Sequence, residues 1–336
     1  MAEHRCKICG ASPLLFLKDI FDDRHGYPGQ FDIYRCNTCG FGQTVPEIDE
    51  DIIGEIYTKY YPRKNIISLE TLQNHPVKIS PFLKRWWMGV NNTAHYHIKK
   101  GTKVLDIGCG DCTSIREINA MGSEGYGIEP DQNIRSVVDT LGLKVHVGLF
   151  HEIPYSDKYF DYITMSQVLE HIHNPIELLT SFRRILKDDG QVIIGVPNID
   201  SRLRKKYRHR WLNWHVPYHL NHFSRGSLVI LANRSGYTIK KIKTYTPNLW
   251  IDLQKRLFYY PIQEGKKVPF FNAETEPESE RPSKERGKGI HYFFNKYFLE
   301  NHRFLRYFQL MNIPVLRIND ALDRGESYLV FMEKGK

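Results

Sequence analysis

Four cysteines stand in two pairs, Cys6-Lys7-Ile8-Cys9-Gly10 and Cys36-Asn37-Thr38-Cys39-Gly40, 26 residues apart. Each pair sets two thiolates on a tight turn with a glycine behind it. Four thiolates fill a closed tetrahedral site, so Cys6, Cys9, Cys36 and Cys39 read as ligands of a structural zinc. A second constellation lies at Asp106-Ile107-Gly108-Cys109-Gly110-Asp111, with Glu129-Pro130 further on. Gly108 and Gly110 let the backbone pass close to a ligand laid over a helix N-terminus, and a carboxylate such as Glu129 can accept hydrogen bonds from a ribose diol. An adenosine-containing cofactor is implied. A dinucleotide site would want a third glycine, whereas here Asp106 and Asp111 flank the turn, repelling phosphate and suiting a cation. A third group joins Glu170-His171 to a later histidine, His219 or His222.

These groups need elements to hold them. Lys103 to Ile107 is an apolar, β-branched run that breaks at the glycines, and helical spacing resumes at Ile115, Ile118 and Met121 before Gly122. Gly125 to Ile128 is the next strand. Asp131 is placed to cap a helix ending at Gly142, Lys144 to Val147 is a third strand, and Phe160 to Met165 a fourth. Asn174-Pro175 opens another helix, Gln191 to Val196 is the fifth strand, Ser224 caps a helix closed by Gly236, and Tyr237 to Tyr245 and Ser327 to Met332 give the sixth and seventh. Leu14 to Leu17 and Phe31 to Tyr34 read as short strands between the cysteine pairs. The expected organisation is a ribbon over 1–45, a helical lid over 46–100, an α/β core over 101–248, a helical insertion over 249–321 and a last core strand over 322–336.

The Asp-x-Gly-x-Gly turn with its acidic partner Glu129 resembles the first two motifs of class I S-adenosylmethionine (SAM) methyltransferases. That resemblance implies a Rossmann-like seven-stranded sheet binding SAM, with Asp106, Gly108, Gly110, Glu129 and Pro130 around the cofactor. It also implies Phe150 and His151 in the loop that packs on the adenine, and Ser166 and Gln167 near the methyl group. The Trp211…Pro217-x-His219…Phe223-Ser224 stretch, with the cysteine ribbon and Glu170-His171, resembles bacterial methyltransferases associated with surface polysaccharides and modified sugars. More distantly it is similar to ubiquinone-pathway O-methyltransferases and small-RNA 2′-O-methyltransferases. Those use Glu-x-x-Glu-His and a later histidine to bind a divalent cation such as magnesium; here Gln167 replaces the first glutamate. The catalytic set implied is Glu170, His171, His219 and His222, with His171 or His219 as general base.

At 336 residues, with 41% hydrophobic residues, the chain can bury a full core. The sequence shows no run long enough to span a membrane and no signal-peptide core, so a cytoplasmic protein is expected. The net charge of +9 favours an anionic small-molecule or glycan acceptor, possibly nucleotide-linked, and Arg202 to Arg210 reads as a clamp for its phosphates. The aromatic stretch His291 to Leu316 suits a homodimer contact. O-methylation of a sugar hydroxyl is the leading expectation; RNA methylation with a nucleic-acid-binding ribbon and a non-catalytic ribbon module are the alternatives.

Overall fold

The computed structural model describes residues 4–49, 77–150, 155–272 and 313–335, with Ile52, Ile56, Lys59, Tyr60 and Glu152. Between the cysteine pairs the chain forms β1 (Leu14–Phe21) and β2 (Gln30–Arg35), and just past the second pair β3 (Gly42–Val45). The three pair antiparallel in that order.

The larger sheet uses β4 (Lys103–Ile107), β5 (Glu124–Glu129), β6 (Lys144–Val147), β7 (Phe160–Ser166) and β8 (Leu186–Pro197). These five strands run parallel. Burial of Val104, Leu105 and Ile107 on both faces of β4 is what a parallel strand covered by helices on either side requires. Strand β9 is only Asn221–His222, and β10 (Tyr237–Tyr245) and β11 (Ser327–Lys334) complete the set. The sheet order is β10-β11-β8-β7-β4-β5-β6, with β11 antiparallel to both neighbours, a seven-stranded Rossmann-like α/β sheet. The chain leaves β4 toward β5 and β6, then returns to β7 on the other side. The crevice at the carboxyl ends of β4 and β7 is therefore the topological switch point.

Local signals operate as the residues dictate. Asp131 accepts from Asn133 N, Ser224 forms a capping box with Ser227, and Gly142 and Gly236 end their helices at positive φ. Strand β8 starts at Leu186, earlier than Gln191, because Leu186 is buried and pairs with Phe160 across a bulge. Among the described residues no helix is long and apolar enough to cross a membrane. Most of the expected lid between 50 and 76, and the charged and aromatic stretch over 273–312, lie outside the described residues.

The ribbon is fused to the core. β9 pairs with β3, so the small sheet reads β1-β2-β3-β9 and takes its fourth strand from the Trp211–Ser224 stretch. Cys6, Ile8, Cys36, Cys39 and Phe41 belong to one apolar cluster with Phe223, Leu228 and the core strands.

Candidate active site

At the end of β4, Gly108 has φ +68° and a Cβ there would stand 2.6 Å from Val168 Cγ2. Gly108 N donates to Ile128 O at 2.8 Å, tying the turn to β5. Gly110, at φ +58°, has nothing within 4 Å of a built Cβ, leaving that side of the turn open for a ligand. Asp111 Oδ1 accepts from Thr113 N at 3.0 Å, so the start of the helix Thr113–Ala120 already carries a carboxylate where a pyrophosphate would sit. Glu129 closes the turn from β5, accepting from Gly110 N at 2.9 Å and Asp131 N at 3.0 Å. Asp106 is buried and accepts from Thr164 Oγ1 at 2.5 Å, and burial pushes its carboxyl above the usual range. Three carboxylates about an open glycine turn fit a cationic, phosphate-free cofactor.

The other residues expected around the cofactor take more constrained places. Pro130 follows Glu129 half-buried, and Phe150 packs against the main core. Ser166 Oγ accepts from Ala94 N at 2.9 Å, pinning the turn Ala94–His97 over the end of β7. Gln167, at φ +59°, donates from N to Gly195 O at 2.8 Å and from Nε2 to Ser327 Oγ at 3.4 Å. His151 lies outside the described residues.

Past β7, a 3₁₀ turn Leu169–His171 places Glu170 and His171, and the segment before β9 brings His219 to them. One ligand atom from each of the three lies within 4.8 Å of the others. His171 Nδ1 donates to Tyr218 O and His219 Nδ1 to Asn213 O, both at 2.9 Å. A carbonyl only accepts, so each neutral ring carries its proton on Nδ1 and its lone pair on Nε2. Both oxygens of Glu170 are buried without a hydrogen-bond partner, and His219 Nε2 stands 4.0 Å from Glu170 Oε1. Burial pushes the Glu170 carboxyl up to about 8 and, with His171 and His222 nearby, holds His219 well below the usual imidazole range. A buried carboxyl group with no hydrogen-bond partner beside two imidazoles is a donor set that could hold a metal ion.

His222 is not one of the three groups within ligand distance of one another, although its ring centroid lies 6.5 Å from that of His219. Its Nε2 is 3.1 Å from Thr44 Oγ1, its ring packs on Trp214, and burial holds it down to about 3. The expectation of a catalytic His222 is corrected on these grounds: it is a member of the small sheet. The phosphate clamp is corrected in part as well, since Arg204 Nε donates to Ile199 O and Arg210 to Leu257 O and Tyr260 O. Arg202, Lys205, Lys206 and Arg208 remain exposed. Sequence reasoning missed His25, whose ring lies 5.5 Å from that of His215, and Thr44; neither sits in a motif or an alternating pattern.

At the ribbon, Gly10 N donates to Cys6 O and Gly40 N to Cys36 O, both at 2.8 Å, so the two turns repeat one geometry. The four Sγ atoms lie within 4.8 Å of one another, with Cys6–Cys39 at 3.5 Å and Cys9–Cys36 at 3.4 Å. Those separations are far too long for disulfides and near the ~3.8 Å edge of a tetrahedral zinc–thiolate site. The cysteines fit zinc.

The family model described as a methyltransferase domain matches residues 71–242, just over half of the chain. Demethylmenaquinone methyltransferase of Bacillus mycoides is 35% identical over 162 residues, covering 45% of this chain and 62% of that protein. An uncharacterized protein of Methanocaldococcus jannaschii is 30% identical over 114 residues, 34% of this chain and 53% of its own length. The chain thus spans a little over half the length of these curated relatives. Among solved structures, a SAM-dependent methyltransferase of Archaeoglobus fulgidus is 18% identical at a TM-score of 0.43, covering 85% of this chain and 100% of that one. A complex of the Haloferax volcanii Trm112 methyltransferase activator with its methyltransferase gives 15% identity and a TM-score of 0.43, covering 75% and 90%.

Proposed function

Because the chain belongs to the methyltransferase-domain family, we propose that it methylates a hydroxyl of a sugar or sugar-derived acceptor from SAM, with a divalent cation held by Glu170, His171 and His219. The observation that carries this reading is the cluster of Glu170, His171 and His219 just past the carboxyl end of β7, in which both buried Glu170 oxygens lack a hydrogen-bond partner. The SAM sulfonium is already a good electrophile, so the difficult step is loss of the acceptor's proton. A divalent cation, when bound, lowers the pKa of a hydroxyl that touches it. Tyr218 O and Asn213 O keep the two Nε2 lone pairs available, and Glu170 would supply the negative charge on losing its proton to solvent as a cation binds. On the cofactor side Glu129 suits the ribose diol, the Gly108–Gly110 turn with Asp106 the methionyl end, and Pro130 and Phe150 the adenine.

The sugar reading draws on the resemblance of the Trp211–Ser224 stretch and on the exposed cations Arg202, Lys205, Lys206 and Arg208, which follow the carboxyl end of β8 and suit a diphosphate. Zinc at Cys6, Cys9, Cys36 and Cys39 would be structural. Incubation with methyl-labelled SAM and pools of nucleotide sugars, glycans and RNA, with chelator and with added-back Mg²⁺ or Mn²⁺, tests the proposal. The expected result is label on a sugar, lost with chelator and restored by the cation. Label confined to RNA overturns the acceptor, and transfer indifferent to chelator overturns the cation.

A further inference from the structure

We infer that the four-cysteine ribbon is a positioning device for the acceptor side of the site, acting on His219 through Thr44; this rests on the reading of Glu170, His171 and His219 given above. Strand β3 begins three residues after Cys39 and is paired on both edges, with β2 on one side and β9 on the other, where Gly42 faces His222 and Gln43 faces Asn221. Thr44, buried, makes three contacts to the segment that carries His219. Its N donates to Leu220 O at 3.1 Å, its Oγ1 donates to His219 O at 2.6 Å, and the same Oγ1 is 3.1 Å from His222 Nε2. A hydroxyl has one proton, and a carbonyl takes it. His222 must then donate its Nε2–H to Thr44, which leaves its buried Nδ1 bare and assigns it to holding Thr44.

The ribbon grips at two more points. Ser224 Oγ donates to Cys39 O at 2.7 Å, and a Cβ on Gly226 would stand 2.9 Å from that same oxygen, so the second knuckle seats on the start of the helix Arg225–Arg234. His25, from the β1–β2 connection, packs on His215, and His215 packs on His219 with ring centroids 4.9 Å apart. The backbone of His219 is therefore set by β3 and its ring is flanked through His215. Small displacements matter here, because outer partners that orient ligating histidines are worth roughly tenfold to a hundredfold in metal affinity.

The test compares wild type, Thr44→Val and Thr44→Ser, each confirmed folded by circular dichroism and zinc-loaded by metal analysis. Thr44→Val is expected to keep its SAM affinity, to weaken Mn²⁺ binding at the trio about tenfold or more, and to lower kcat with little change in KM. Thr44→Ser, which keeps the hydroxyl, is expected to restore both. ¹⁵N-histidine NMR supplies a readout that needs no cation: the His219 ring resonances should shift or broaden in Thr44→Val and return in Thr44→Ser. If wild type binds no Mn²⁺ while the resonances respond as expected, the cation reading fails and the positioning role stands. Unmoved His219 resonances with unchanged Mn²⁺ affinity in a folded Thr44→Val protein overturn the positioning role.

Discussion

Gly108 and Gly110 differ by what surrounds them. Both have positive φ, which costs an alanine roughly 1 kcal/mol or more. At Gly108 the added methyl also meets Val168 inside the core, so Gly108→Ala should lower the melting temperature by several degrees. At Gly110 the methyl meets only open space on the ligand side. Gly110→Ala should lose only the stability its backbone strain costs, less than Gly108→Ala, yet lose about tenfold or more in SAM affinity, an outcome calorimetry would settle; undiminished binding would move the cofactor off this turn. At the acceptor side, Glu170→Gln keeps shape and removes charge. The expected result is a folded protein with intact SAM binding and Mn²⁺ affinity reduced by about tenfold or more, read by titration. The turn, its carboxylates and the pair Glu170-His171 were legible because their spacing is local. Which of His219 and His222 joins Glu170 was not, since that depends on which ring hydrogen-bonds to Asn213 O and which to Thr44.

The elements show the same division between local and distant causes. Apolar runs and caps announced the strands of the large sheet, because alternation, glycine stops and capping residues are written in consecutive positions. β9 went unseen: two residues of strand carry no period, and Asn221 and His222 pair with β3 only because the ribbon is brought to them. Ser224 shows how one residue serves both levels. Its Oγ accepts from Ser227 N at 3.0 Å as a helix cap and donates to Cys39 O as a ribbon contact. Ser224→Ala should cost more than the ~1 kcal/mol of a lost cap, and the excess should fall when the ribbon is stripped of zinc. Equal losses with and without zinc, measured by denaturation, would show that the knuckle contact contributes nothing.

Across the whole molecule, buried titratable groups pull stability in opposite directions with pH. Burial pushes Asp22 up to about 6 and Glu326 up to about 7, so the folded protein holds protons that the unfolded chain releases near pH 4. Their stability contribution is complete below pH 4 and is lost as pH rises through 6 to 7. His222, held down to about 3, acts the other way: below about pH 6.5 the unfolded chain takes up a proton that the folded one refuses. Glu326 accepts from Trp211 Nε1 at 2.7 Å and Leu203 N at 3.1 Å. In Glu326→Gln the melting temperature should therefore gain on wild type from pH 5 to about pH 7 and level off above that, whatever its offset. A constant difference would mean that the glutamate titrates normally.

The place of β11 has a consequence for how the chain is made. It lies between β8 and β10, although some eighty residues of sequence separate it from β10. A ribosome delivers β10 long before the strand that will join it to the sheet, so during synthesis β10 and the exposed edge of β8 wait apart. Nascent chains stalled once Tyr245 has cleared the exit tunnel should accordingly be cut by protease within 237–245, and protection should arrive in one step once residue 334 has cleared it too.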